Sequence, residues 1–316
     1  MNKDTTKETT KQTTKEKLFD DVETIDKELD EFILDPNKWD SFLPYLANHY
    51  SVRNNYIISK NKASIVKTLS AWNKENINIK KGEKAIWLLA PKSTKFINLD
   101  NKLVPFSKLK PEQFKNINKK DIIYKTFAGF RPFTVFDITQ TDLPKEKYPK
   151  DYFNYFNFMS SNDLNIEIAN KLYEYLINKI AEKYNIKVNY ENLKTVSGKL
   201  VQNTNNPIIM FNTNNELRQN IRVLFHELSH FLLKHNYEKT KRGICEFEAE
   251  LSAYLISAIL GLKEKESSFR YIKEWSDEIL SFKRDERIKS IDNALNTSRT
   301  IFKELNLDNF IDNYKL

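Results

Sequence analysis

The run His226-Glu227-Leu228-Ser229-His230 constrains this chain more than any other feature. Three of the four histidines fall within ten residues, and two of them frame an H-E-x-x-H pattern. The surrounding residues, Leu217 to Lys234, hold apolar side chains at helical spacing (Leu217, Ile221, Leu224, Phe225, Leu228, Phe231, Leu232) and no Gly or Pro. On a helix, positions i and i+4 lie about 40° apart around the axis and roughly 6 Å along it. Two imidazoles so placed can reach one zinc ion at about 2.0–2.1 Å. Glu227, next to the first histidine, is then directed at the open coordination position, where it can serve as a general base toward water.

A second motif supplies what the first lacks. Beyond a polar turn ending at Gly243 comes Cys245-Glu246-Phe247-Glu248-Ala249-Glu250-Leu251, the start of an apolar-periodic helix that runs to Gly261. Glu246 and Glu250 are again i and i+4. A hydrolytic zinc site needs three protein ligands with a fourth position left for water, and an outer carboxylate to orient a ligand imidazole. Glu246 as third ligand and Glu250 as orienter meet both needs. Glu248 lies about 200° from Glu246 around the helix and is expected to face elsewhere.

The pair HELSH and EFEAEL resembles the gluzincin metallopeptidases, and the short helices with their E-x-E-A run resemble the ImmA/IrrE branch. The resemblance implies Zn2+ held by His226, His230 and Glu246, with Glu227 as base and Glu250 behind a ligand. Tyr237, Tyr254 and His235 are the candidates for the transition-state donor such families use. Cys245, the single cysteine, reads as a small buried hydrophobe.

One cysteine excludes a disulfide framework and fits a reducing cytoplasm. The start, MNKDTTKETTKQTTKEK, has no apolar stretch of the signal-peptide kind, and no apolar run is long enough to span a membrane. The net charge of +8 is unevenly placed. Residues 1–40 hold 7 Lys/Arg against 12 Asp/Glu, residues 41–150 hold 21 against 8, and residues 151–316 hold 23 against 23. The basic middle segment also contains 15 aromatic residues. Lys and Arg neutralise phosphates, and aromatic faces stack bases at about 1–3 kcal/mol per base.

Along the chain, three Thr-Thr-Lys repeats in residues 1–15 give an expected disordered tail. Helices are expected at Glu16–Leu34, Trp39–Ala47 and Ala63–Asn76, and strands at Ala85–Ala90 and Phe133–Ile138. Residues 143–160, rich in Pro, Tyr and Lys, read as a linker. An amphipathic helix at Leu164–Tyr184 is followed by three short strands, Lys187–Tyr190, Gly198–Gln202 and Pro207–Asn212. Of these, Ile208–Phe211 is the candidate edge for aligning an extended peptide. Residues 265–304 read as two charged packing helices.

The order YSVRNNYIIS, SAWNKENINI, KKGEKAIWLLAP, FTVFDITQT resembles the N-terminal domain of ArdC-type antirestriction proteins over residues 38–142. LtrC-like proteins of Gram-positive mobile elements have a similar build. ArdC-type proteins are carried by conjugative plasmids, bind single-stranded DNA and join this domain to an HExxH domain. That resemblance implies DNA contacts at Tyr50, Arg53, Asn54, Trp72, Lys80, Lys81, Lys84 and Trp87. The chain departs from the family at Ser59-Lys60-Asn61, where Gln is usual, and in the lysine-rich insertion Lys92–Lys120.

The expected fold class is therefore α+β: a small α+β single-stranded-DNA-binding domain, then a mostly helical zincin-like (gluzincin) domain with a small sheet. The expected segments are 1–37 (tail and short helix), 38–150 (DNA-binding domain) and 160–316 (metallopeptidase domain). One functional reading is a cytoplasmic antirestriction protein of a mobile element, with single-stranded DNA as partner. The other is an ImmA-like regulatory metalloprotease that cleaves a repressor or other protein. In a third, DNA binding is the whole function and the zinc domain is a relic.

Overall fold

The computed structural model describes residues 14–99, 102–117, 122–149, 164–202, 206–236, 241–262 and 274–314. The first two tail repeats, most of the 143–160 linker and Tyr237 lie outside them, while Thr14 and Lys15 of the third repeat open a helix. Helices and sheets are both well represented, so the chain is α+β. Contacts divide it into two compact units, Met1–Phe19 with Val66–Asp142, and Asp20–Ile65 with Leu143–Leu316. This division differs from the 38–150 and 160–316 segmentation, because residues 38–65 fold in the same unit as the C-terminal helices.

In the first unit, β1 (Val66–Lys67), β2 (Ile86–Leu99), β3 (Lys102–Pro105) and β4 (Ile122–Asp137) form a sheet in the order β1-β4-β2-β3. Strands β2 and β4 pair antiparallel from Ile86↔Val135 to Ile97↔Ile122. Ile86, Leu88 and Val135 are buried at one end of the pair. Pro91 faces Phe130 whereas Lys92 faces Phe127, so Ala128 and Gly129 are extra residues on β4. Gly129 takes φ +93°, a conformation that side chains disfavour and a bulge requires.

The single helix expected at Ala63–Asn76 is instead strand β1 followed by the short helix α3 (Leu69–Lys74). Thr68 forces the break: its hydroxyl caps the Ala71 N–H at 3.2 Å, while Val66, β-branched, pairs with Asp137. Part of the Lys92–Lys120 insertion is built into this sheet. Its first part continues β2, and Lys102–Pro105 pairs back as β3.

The second unit contains α1 (Thr14–Ile33, most of which lies here), a 3-10 segment Pro36–Ala47, and helices α2 (Val52–Lys60), α4 (Ile166–Tyr184), α5 (Leu217–Leu233), α6 (Arg242–Ile259), α7 (Arg284–Glu304) and α8 (Leu307–Tyr314). Fully buried Trp39 wedges its ring edge-on against Phe247 and Tyr254 of α6. The Val52 N–H donates to Asp292 at 2.6 Å. These contacts tie the 38–65 stretch to α6 and α7.

The three strands of this unit, β5 (Lys187–Glu191), β6 (Gly198–Val201) and β7 (Ile208–Asn212), run in the order β5-β7-β6. The expected edge strand Ile208–Phe211 is thus the central one. Ile209 and Phe211 are fully buried, and an apolar alternation of this kind suits a strand paired on both sides. The edge beside the HExxH helix is β6. Gly198 lies so close to α5 that a Cβ there would stand 2.2 Å from Val223 Cγ1. Among the described residues no helix is long and apolar enough to cross a membrane.

Candidate metal centre

Helix α6 is buried on every face from Gly243 to Ile259. Apolar residues explain most of that burial, but Glu246, Glu248 and Glu250 are buried with them. A carboxylate inside a protein needs charge or hydrogen-bond partners, because desolvation otherwise costs several kcal/mol. All three find them, and the partners converge on the HExxH helix.

His226 Nε2, His230 Nε2 and Glu246 Oε2 form a triangle with edges of 3.0, 3.4 and 3.6 Å. Ligands held tetrahedrally at about 2.0–2.1 Å from one ion stand about 3.3 Å apart. The three donors therefore fit a single divalent metal ion without rearrangement. They are all buried, and they are the one group of three potential ligands found among the described residues. Burial pushes the His230 ring down to about 4, with the His226 and His235 charges acting in the same direction. Its neutral, metal-competent form thus prevails at neutral pH. Burial opposes ionisation of Glu246, but hydrogen bonds and charge from His226 and His230 outweigh it and hold that carboxyl well below the usual range.

Behind the triangle stand two outer carboxylates. Glu250 Oε2 lies 3.2 Å from His226 Nδ1, and its other oxygen accepts from Arg222, one turn earlier on α5. Glu248 does face away from Glu246, but toward His235, which in turn contacts His230. Glu248 also accepts from Asn293 Nδ2 at 2.7 Å; neither Arg222 nor Asn293 is marked by the sequence motifs, and these give Glu248 no role. The signal that could have found them is the burial demand of an E-x-E-x-E run on an otherwise apolar helix.

Glu227 sits beside the triangle, buried. Burial pushes its carboxyl up to about 7; the Glu246 charge adds to this, while His226 and the Leu200 N–H of β6 hold it down. A carboxylate poised near neutrality exchanges protons readily in both directions. Of the donor candidates, Tyr254 has its hydroxyl committed to Asp40 at 2.6 Å, with its phenol pushed upward by burial. Burial pushes the Cys245 thiol up to about 12, helped by Glu248 and Glu246, which suits an inert core side chain.

The Glu227 shift has a consequence for stability. Its folded pKa lies above the ordinary 4.5, so the folded state binds more protons between pH 4.5 and 7 and loses stability as pH rises through that window. His230 has the opposite sign: its folded value is below 6.5, so it adds stability as pH rises from about 4 to 6.5. In metal-free protein, Glu227→Gln is expected to remove the first effect and leave the second. Its stability advantage over the parent should grow between pH 5 and pH 8, by about 3 kcal/mol at most. Chemical denaturation in chelator at both pH values checks this; an advantage that shrinks with pH contradicts it.

The residues expected to contact DNA divide between the two units. Tyr50, Arg53 and Asn54 belong to the second. Asn54 is buried, and burial raises the Tyr50 phenol. Arg53 grips Asp26 with two nitrogens at 2.6 and 2.9 Å and also reaches Asp285. Trp72, in the first unit, is 1% exposed, and its indole N–H donates to the Phe136 carbonyl at 2.9 Å. Asn54 and Trp72 are thus packed inside their units, and Arg53 is engaged by two carboxylates. Lys80, Lys81 and Lys84 are exposed and Trp87 is half-buried. Val66–Asp142 carries 15 Lys/Arg against 7 Asp/Glu, and the rest of the chain 36 against 36. The whole positive excess lies in Val66–Asp142.

Residues 181–288 match the IrrE N-terminal-like domain family, Peptidase M78. This stretch contains α5 and α6 with all five residues of the metal centre. The chain is 28% identical over 255 residues to the uncharacterized protein pXO2-81 of Bacillus anthracis. That alignment takes in 75% of this chain and 42% of the relative, so the chain spans less than half of that protein's length. It is also similar to two crystal structures of the antirestriction protein ArdC from plasmid R388, one metal-free and one Mn(II)-bound. Both are 14% identical with 81% of this chain covered; the TM-scores are 0.45 and 0.42, over 85% and 84% of the other chain.

Proposed function

We propose that this is an antirestriction-type protein of a conjugative mobile element, which binds single-stranded DNA through its basic unit and carries a zinc-dependent peptidase site. The observation that carries the enzymatic half is the donor triangle with Glu227 beside it. His226, His230 and Glu246 would hold the ion, and a divalent metal bound there would supply Lewis acidity toward a carbonyl and water. Zn2+ is favoured by two imidazoles and a carboxylate at tetrahedral spacing. Glu227 takes the proton from the attacking water and returns it to the leaving nitrogen. Glu250, anchored by Arg222, holds the His226 ring in the tautomer with Nε2 unprotonated. The edge strand β6 offers its backbone to an extended peptide, replacing the assignment to Ile208–Phe211.

The DNA-binding half rests on charge placement, and the exposed lysines Lys80, Lys81 and Lys84 are its contact residues. A labelled single strand and a duplex of the same sequence, titrated with the full chain at stepped salt, test it. Single strands are expected to bind more tightly, with a log–log salt slope of about −0.7 per phosphate neutralised. Lys81→Glu with Lys84→Glu should weaken binding, and Glu227→Gln should leave it unchanged. No single-strand affinity at low salt would remove the DNA-binding half. Glu227-dependent cleavage of a protein partner alongside that result would favour the regulatory-protease reading, which the poised Glu227 supports.

A further inference from the structure

We propose that His235 and Glu248 are positioning residues for the metal ligand His230, forming an outer relay separate from the Glu250 arm; this rests on the metal-centre reading above. Helix α5 ends with Lys234 in the left-handed conformation (φ 53°, ψ 44°), and the His235 N–H caps the His230 carbonyl at 3.1 Å. That turn folds the His235 ring back against His230. His230 Nδ1 lies 2.7 Å from His235 Nδ1, His235 Nε2 lies 2.9 Å from Glu248 Oε2, and Asn293 Nδ2 donates to Glu248 Oε1 at 2.7 Å. The His235 and Glu248 side chains are only 6% and 7% exposed.

Every proton in this chain is determined from its metal end. A ring that offers Nε2 to a cation carries its proton on Nδ1. His230 Nδ1–H therefore donates to His235 Nδ1, which must be unprotonated. His235 then carries its proton on Nε2 and donates it to Glu248, an acceptor-only carboxylate. Asn293 supplies a donor to the remaining oxygen. No step leaves two donors or two acceptors facing each other. The relay fixes the orientation of His230 and raises its basicity, as Glu250 does for His226. The E-x-E-x-E run thus serves the metal three times: Glu246 directly, Glu250 through one imidazole and Glu248 through two.

The test uses the full chain and Zn2+ alone, with affinity read by competition against a fluorescent chelator. His235→Ala and Glu248→Ala are each expected to weaken Zn2+ binding about 10- to 100-fold. His235→Gln should recover much of the loss, because its carbonyl can accept from His230 while its amide donates to Glu248. Glu248→Gln keeps the shape and an acceptor oxygen but drops the charge, so an intermediate loss is expected; it also serves if an alanine variant fails to fold. Ring 15N NMR of the loaded parent should show His230 protonated on Nδ1 and His235 on Nε2, a signature that a purely packing role would not set. Affinities within twofold of the parent in the folded variants, or His235 protonated on Nδ1, would overturn the relay and leave the metal centre standing. A parent that binds no Zn2+ would overturn both.

Discussion

Glu246→Ala is expected to abolish stoichiometric metal binding while leaving a folded chain. Its Oε2 is one corner of a triangle whose edges match tetrahedral ligand spacing, and alanine leaves only the two imidazoles. Structural zinc sites bind with about 10–16 kcal/mol in total, so one ligand of four is worth roughly 3–4 kcal/mol, a loss of about 10²–10³ in affinity. Glu227→Gln is the control, because it has nearly the same shape and changes a residue outside the triangle. Metal content after gel filtration, with a thermal melt in chelator to verify folding, separates the two variants. Retention of one metal per chain by Glu246→Ala would mean that the ligand set is wrong.

The second large effect concerns Trp72. Its ring is buried, its N–H is bonded to Phe136 of β4, and Lys67 lies over its face at 4.6 Å. Trp72→Ala should destabilise the first unit by about 3–5 kcal/mol, most of what holds a unit of this size together. Hydrogen exchange read on peptides from Val66–Asp142 would show this as lost protection confined to that unit. Any fall in DNA affinity would then follow from unfolding. Unchanged protection with weakened single-strand binding would instead mean that the indole reaches bases, contrary to its burial.

The contrast between the two sites says why one was legible in the sequence and the other only in part. His226, His230, Glu246 and Glu250 lie four apart in pairs on helices, so local periodicity alone places them on common faces. The small sheet and α4 were legible for the same reason, as period-2 and period-3.6 runs. His235 was not, since its position depends on a left-handed Lys234, and nothing in a lysine announces that conformation. Arg222 and Asn293 sit on different helices from the carboxylates they hold, and tertiary packing alone joins them. In the basic segment the charge excess was visible, but not which aromatics were core. Trp72, on the short helix α3, is buried with its N–H bonded to Phe136, whereas Trp87, on β2 opposite Thr134, is half-buried. Arg53 reads as a free cation until Asp26 and Asp285, distant in the chain, are brought to it.

The most direct measurement is the anomalous scattering of zinc in crystals of the metal-loaded protein. One strong peak is expected about 2.0–2.1 Å from His226 Nε2, His230 Nε2 and a Glu246 carboxylate oxygen, with Glu227 and Glu250 outside bonding distance. A peak ligated by other residues, or none at this triangle under saturating zinc, would contradict it.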